Sequence, residues 1–144
     1  MPGTDGPSTR HLLMRAAKLH RQRVHDILNA FELYRGQSGI LHVLWQEEGI
    51  AQSEIAQQTW VRPATMTNAL QRMEQVGLVE RRPDPQDQRR SLVYLTQAGR
   101  ELEGPVRQAL ANVDGEILDG FSSDEEALLR SFLERIVQSL EKGD

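Results

Sequence analysis

Thr65, Asn68, Gln71 and Arg72 recur three or four residues apart, so that on a helix their donors and acceptors share one face. Asn and Gln amides can pair with adenine and an Arg guanidinium with guanine in a DNA major groove, which is wide enough to admit a helix. A second group follows in the stretch Pro83-Asp84-Pro85-Gln86-Asp87-Gln88-Arg89-Arg90. An Asp in a tight turn bonds the backbone two residues on, which here would fix the direction of Arg89. A guanidinium presented in this way suits a narrow, electronegative minor groove. Each group also has a plainer reading: a solvated helix face, and an exposed Asp87–Arg89 pair worth about 0.5 kcal/mol. Their order along one chain favours DNA.

The elements that would position these groups are legible from spacing and punctuation. Ser53 to Gln58 reads as a short helix, and Thr59, Trp60, Val61 and Arg62 break it. Pro63 suits the first turn of a second helix running to about Val76, with an apolar stripe of Met66, Leu70, Met73 and Val76. Gly77 ends that helix, and Leu78 to Arg82 and Ser91 to Leu95 read as two strands around the charged tip. Helix, turn, helix and basic hairpin is the order of a winged helix-turn-helix.

The flanks are helical. After a flexible lead-in over residues 1–8, Leu12, Leu13, Ala16, Leu19, Val24, Ile27, Leu28 and Phe31 mark a long amphipathic helix. Gly36 and Gly39 punctuate the chain, and Ile40, Leu41, Val43, Leu44 and Trp45 form a short helix that Gly49 stops. Thr96 is a candidate N-cap for one helix bearing Leu102, Val106, Leu110, Val113 and Ile117. Ser122 with Glu125, and Ser123 with Glu126, each fit a capping box for a last helix carrying Leu129, Leu133, Ile136 and Leu140. The expected fold is mainly α with a small β-hairpin wing.

Composition narrows the function. The 144 residues include no cysteine, which excludes disulfides, thiolate nucleophiles, cysteine-ligated metals and thiol redox switching, leaving only weak methionine oxidation. The net charge of −4 is concentrated in residues 96–144, which hold 5 basic and 11 acidic residues, so an acidic total leaves the first two thirds free to meet nucleic acid. No apolar run approaches the roughly 18 residues of a membrane span, and MPGTDGPSTR lacks the core of a signal peptide, so the expectation is a cytoplasmic protein without membrane contact. His11, His20, His25 and His42 form no i, i+4 pair, so no metal or other cofactor is expected. No phosphate-binding Gly loop, HExxH or GxSxG motif is present, so no catalytic residues are assigned and an enzyme is not expected.

The chain resembles the MarR family of transcription regulators through Ser53-Glu54-Ile55-Ala56, Thr65-Met66-Thr67, Gly77-Leu78-Val79-Glu80-Arg81, Asp84-Pro85-Gln86-Asp87-Gln88-Arg89 and Leu95-Thr96-Gln97-Ala98-Gly99. The resemblance implies a homodimer built by residues 9–35 and 96–144, carrying two lobes formed by residues 36–95. It places Arg62, Thr65, Thr67, Asn68, Gln71 and Arg72 at the major groove of a pseudo-palindromic operator, and Asp87, Arg89 and Arg90 at the wing. Two departures stand out. Thr59-Trp60 replaces the Leu-Gly common in the family's turn, which predicts a different turn geometry, and Asn68 stands where Arg or Lys is frequent.

Family members respond to small, often aromatic and anionic molecules, which implies a repressor released from DNA by such an effector. The candidate pocket residues are His11, Arg15, Arg23, Phe31, His42 and Trp45, each of which also has an ordinary core or surface reading. The competing function is a winged helix that docks on protein without specific DNA binding. Arg72, Arg81, Arg82, Arg89 and Arg90 around one prospective face favour DNA, because they suit phosphate neutralisation.

Overall fold

The computed structural model describes residues 6–34 and 36–143. The first five residues of the expected lead-in, together with Arg35 and Asp144, lie outside the described residues. The elements run α1 (Thr9–Ala30), α2 (Gln37–Gln46), β1 (Ile50–Ala51), α3 (Gln52–Thr59), α4 (Pro63–Gln75), β2 (Val79–Pro83), β3 (Ser91–Leu95), α5 (Gln97–Glu101), α6 (Glu103–Ile117) and α7 (Ser123–Glu141). Two compact units divide the chain, Met1–Leu110 and Ala111–Asp144.

In the first unit the core gathers apolar side chains from every layer. Ile40, Leu41 and Leu44 of α2, Ile55 of α3, Met66, Leu70 and Met73 of α4, Val93 of β3 and Val106 of α6 are almost fully shielded from solvent. Each such burial contributes roughly 1.5–3 kcal/mol. The sheet is antiparallel in the order β1-β3-β2, with Ile50 opposite Val93 and Val79 opposite Leu95. β3 alternates as a half-buried strand should, sending Val93 and Leu95 inward.

Several sequence expectations need correction. Gly39 lies inside α2 rather than interrupting it, and α2 already ends at Gln46. Gly49 instead makes the turn into β1 at φ 72°, where a β-carbon would meet the Tyr94 ring at 3.0 Å. β1 itself was not anticipated, because two residues are too few for an alternating pattern to register. The helix expected after Thr96 is two, α5 and α6, with Leu102 between them. Pro105 explains the break: it has no N–H to give the carbonyl four residues back, and its ring crowds that carbonyl. Val76 lies on the apolar stripe of α4 by spacing, yet it is the helix C-cap and 69 % exposed.

Caps and close contacts fix the frame. Ser8, the end of the expected lead-in, caps α1 by accepting from the His11 amide, and Thr96 caps α5 by accepting from the Gly99 amide. Of the two capping boxes read for the last helix, the Ser122–Glu125 pair forms, and the amide hydrogen bond from Ser122 holds the Glu125 carboxyl below its ordinary pKa. Gly99 packs so tightly that a β-carbon there would clash with the Leu78 carbonyl oxygen. The Gly99 carbonyl accepts from Trp45 Nε1 at 2.9 Å. Nearby, the Glu48 carboxylate accepts from Arg100 Nε at 3.0 Å and Nη2 at 2.9 Å, and from the Leu95 amide at 2.8 Å. The Arg100 hydrogen bond is the main reason the Glu48 carboxyl sits below its ordinary pKa.

Candidate nucleic-acid interface

The α3–turn–α4 unit is built so that one face of α4 is committed to the core and the other is bare. Met66, Leu70 and Met73 anchor it, while Thr65, Thr67, Asn68, Gln71 and Arg72 are all exposed. Pro63 opens the helix, where its missing N–H costs nothing, and exposed Arg62 stands immediately before it as the N-cap.

Trp60 controls the turn. It ends α3 in the left-handed region at φ 57°, ψ 32°, so the glycine-like geometry is kept despite the bulky side chain. That corrects the expectation of a different turn: the departure from Gly changes the side chain and adds strain of roughly 1–2 kcal/mol, but leaves the backbone path. The ring is 95 % exposed.

The wing tip behaves as its Asp residues imply. Asp84 Oδ1 accepts from the Gln86 amide at 2.9 Å and Asp87 Oδ1 from the Arg89 amide at 3.1 Å. Backbone bonds from Asp84 N to Arg90 O and from Arg90 N to Asp87 O, each 2.9 Å, close the loop. Arg89 projects from it with its side chain 95 % exposed, 3.6 Å from the Asp87 carboxylate. Arg90 pairs with Glu54 at 3.1 Å, tying the wing to α3.

A polar network that spacing does not reveal joins the three elements. Gln52 Nε2 donates to Thr67 Oγ1 at 2.7 Å, and Thr67 Oγ1 donates to the Pro63 carbonyl at 3.0 Å. Arg81 donates to Gln52 Oε1 at 3.3 Å and pairs with Glu74. Arg82 pairs with Glu80 and stacks over Tyr94, 4.3 Å from the ring centre. Of the five arginines expected to share one phosphate-facing surface, Arg81, Arg82 and Arg90 therefore have close carboxylate partners within the chain, Arg89 lies at 3.6 Å from Asp87 with its side chain almost wholly in solvent, and Arg72 is exposed. The Thr67 hydroxyl spends both its donor and an acceptor site on positioning α4. Gln52, Glu54 and Glu74 were missed because their roles depend on residues 15, 36 and 7 positions away.

Between α3, the start of α4 and the wing lies an open groove of about 770 Å³, lined by Gln52, Ser53, Gln57, Trp60, Arg62, Arg89, Arg90 and apolar neighbours. A second open groove, of about 660 Å³ on α1, brings together His11 and Arg15 with Arg10, Met14, Lys18 and Arg21. The other four effector candidates lie apart from it. Arg23 is exposed farther along α1, Phe31 packs against the core, Trp45 is held by Gly99, and His42 is exposed beside Gln46 at 3.2 Å. Among the described residues no group of three or more His, Asp or Glu could hold a metal ion, and no helix is long and apolar enough to cross a membrane.

Comparison with known proteins agrees with this architecture. The model of the MarR family matches residues 33–91. The HTH-type transcriptional regulator TtmR of Methylorubrum extorquens is 33 % identical over 114 residues, covering 79 % of this chain and 57 % of its own. The chain thus spans little more than half the length of that relative. The HTH-type transcriptional regulator YwoH of Bacillus subtilis, itself uncharacterized, is 30 % identical over 129 residues, which is 87 % of this chain and 93 % of that one. A mutant of Staphylococcus aureus MepR superposes with a TM-score of 0.86 at 23 % identity, covering 93 % of this chain and 99 % of that one, a likeness of fold. Another MepR mutant, bound to an oligodeoxyribonucleotide, gives 0.72 at 23 % identity, covering 94 % and 99 %. With the winged helix-turn-helix in place and a relative matched over nearly its whole length, the chain belongs to the MarR family of transcription regulators.

Proposed function

We propose that this chain is a homodimeric repressor that binds a pseudo-palindromic operator in double-stranded DNA and is released from it by a small, aromatic and anionic effector. The observation that carries the reading is the pairing of two exposed cationic tips on one unit: α4 with Asn68, Gln71 and Arg72, and the wing with Arg89. A helix of this composition reads base edges in the major groove, and Arg89 enters the adjacent minor groove. Arg62, Thr65 and Arg90 contribute to the phosphate and groove contacts, while Thr67 and Asp87 hold their neighbours in place. The oligodeoxyribonucleotide complex of MepR supports the DNA reading by analogy of fold.

Residues 9–35 and 96–144 supply the dimer contacts and residues 36–95 the DNA-binding lobe. Supporting this, α1 leaves Leu12, Met14 and Leu19 about half exposed, and α7 leaves Leu128, Phe132, Leu133, Val137 and Leu140 exposed. Such patches on a single chain mark an interaction surface. The dimer fixes the spacing of two recognition helices, and the effector acts by favouring a spacing that no longer matches successive grooves, a coupling of about 1–3 kcal/mol. Selection from a random-sequence duplex pool, followed by sequencing, tests the reading. It should return an inverted repeat, and a pool with no enriched sequence would overturn it.

A further inference from the structure

Trp60 is at odds with its position. Among the described residues only Glu32 and Trp60 hold positive φ without being glycine. Glu32 is an exposed, charged residue in the turn after α1, whereas Trp60 carries the largest apolar side chain of all. The indole makes no hydrogen bond or ring contact among the described residues, and burial does not explain it, because it is 95 % exposed. A glycine would supply the same backbone path without strain. The ring serves neither the core nor the turn.

Its surroundings indicate what it serves. Trp60 lines the groove between α3, the start of α4 and the wing, together with Arg62, Arg89 and Arg90 and with Gln52, Ser53 and Gln57 of α3. Resting on the DNA reading above, α4 occupies a major groove and Arg89 the neighbouring minor groove. One phosphodiester strand separates those two grooves, so that strand has to pass between α4 and the wing. The groove is open, and its lining combines the cations Arg62, Arg89 and Arg90 with the apolar residues Ala56, Val61, Pro63 and Met66. This matches a backbone that is anionic at its phosphates and apolar at its deoxyriboses.

We propose that Trp60 is a DNA-backbone contact: its ring packs on a deoxyribose of the strand seated in this groove, and its Nε1–H donates to a phosphate oxygen. Indole has one N–H and a broad apolar face, so it can meet both parts of the backbone at once. Such a contact is blind to base sequence and carries no charge. It therefore strengthens binding to every duplex alike and releases no counterion of its own. The strained turn is retained because it aims the ring outward.

The test compares the full chain with its Trp60→Gly and Trp60→Phe variants, titrated against a fluorescein-labelled mixed-sequence duplex and the duplex recovered by selection, at two salt concentrations, with thermal unfolding alongside. Trp60→Gly should melt at or above the parent temperature, since it relieves the left-handed strain. Its DNA affinity should fall about ten- to hundredfold, the size of a lost hydrogen bond to a charged group, equally for both duplexes and with the salt dependence unchanged. Trp60→Phe keeps the ring face without the donor and should fall between the two. Unchanged affinity of Trp60→Gly beside a parent that binds would overturn the assignment and leave the DNA reading intact. A loss confined to the selected duplex would also overturn it, because it would make Trp60 a base reader. A parent that binds neither duplex at low salt would overturn the DNA reading itself, together with this inference.

Discussion

α4 and α7 are both strongly amphipathic, yet they end in opposite circumstances. In α4 the apolar residues Met66, Leu70 and Met73 are fully buried, and the polar face is left outward. In α7 no residue is buried, and Leu128, Phe132, Leu133, Val137 and Leu140 remain between 41 and 70 % exposed. An apolar stripe becomes core only if the same chain supplies something to cover it. The first helix has done so and offers its polar face to a ligand; the second has its apolar face still on offer, which is what an interface between copies requires.

The strongest way to break the contrast is a charge in the exposed stripe. Leu133→Asp should weaken the dimer by about 3–5 kcal/mol, because an unpaired carboxylate would be buried on association. Sedimentation equilibrium should find the parent dimeric and this variant monomeric, and an unchanged dimer would move the interface away from α7. Next in size, Leu70→Ala should lower stability by about 2–5 kcal/mol through loss of burial and the cavity left behind. Chemical denaturation at several protein concentrations separates the two variants. Dilution should shift the unfolding midpoint of the parent as it does for any dimer, whereas the part of the loss due to Leu70 should be the same at every concentration.

Two smaller effects sharpen the functional side. Arg89→Ala should cost about 1–2 kcal/mol of DNA affinity, reduce the salt slope by about one, and leave melting unchanged, because the wing tip carries no core packing. A drop in melting temperature would instead make Arg89 structural. The smallest effect concerns Glu48. Its carboxyl is held below the ordinary value of 4.5 chiefly by Arg100, so the folded chain takes up a proton less readily than the unfolded chain. The contribution is present in full above that value and disappears as pH falls through the lowered folded value. Glu48→Gln should flatten that acid limb of the stability profile, and an identical limb in both proteins would show that other carboxylates govern it.

Much of the fold was legible because it is written in local signals. Pro63, the Thr96 cap, the Ser122–Glu125 box and the alternation of Val93 and Leu95 each mark their element within a few residues. Local signals also misled. The apolar spacing of Leu102, Val106 and Leu110 reads as one helix straight through Pro105, and Gly39 reads as a break although α2 passes through it. The two-residue strand β1 exists only through its pairing with β3, which no local window contains. At the candidate interface the exposed face of α4 and the Asp-braced wing were readable from spacing alone. The partners of Arg81 and Arg90 were not, since they bring together residues far apart in sequence. Trp60 was noticed as a departure from glycine, but only the backbone angles show that the glycine conformation persists beneath it.

The central claim is that the bare face of α4 and the wing together bind DNA selectively. It is tested most directly by fluorescence anisotropy, titrating the full chain against duplex DNA from upstream of its own gene and against a scrambled duplex, each at two salt concentrations. The account predicts tight binding to the first, weaker binding to the second, and a loss of affinity for both as salt rises. Equal affinity for the two duplexes at both salt concentrations, matched by no enriched sequence from a random pool, would contradict it.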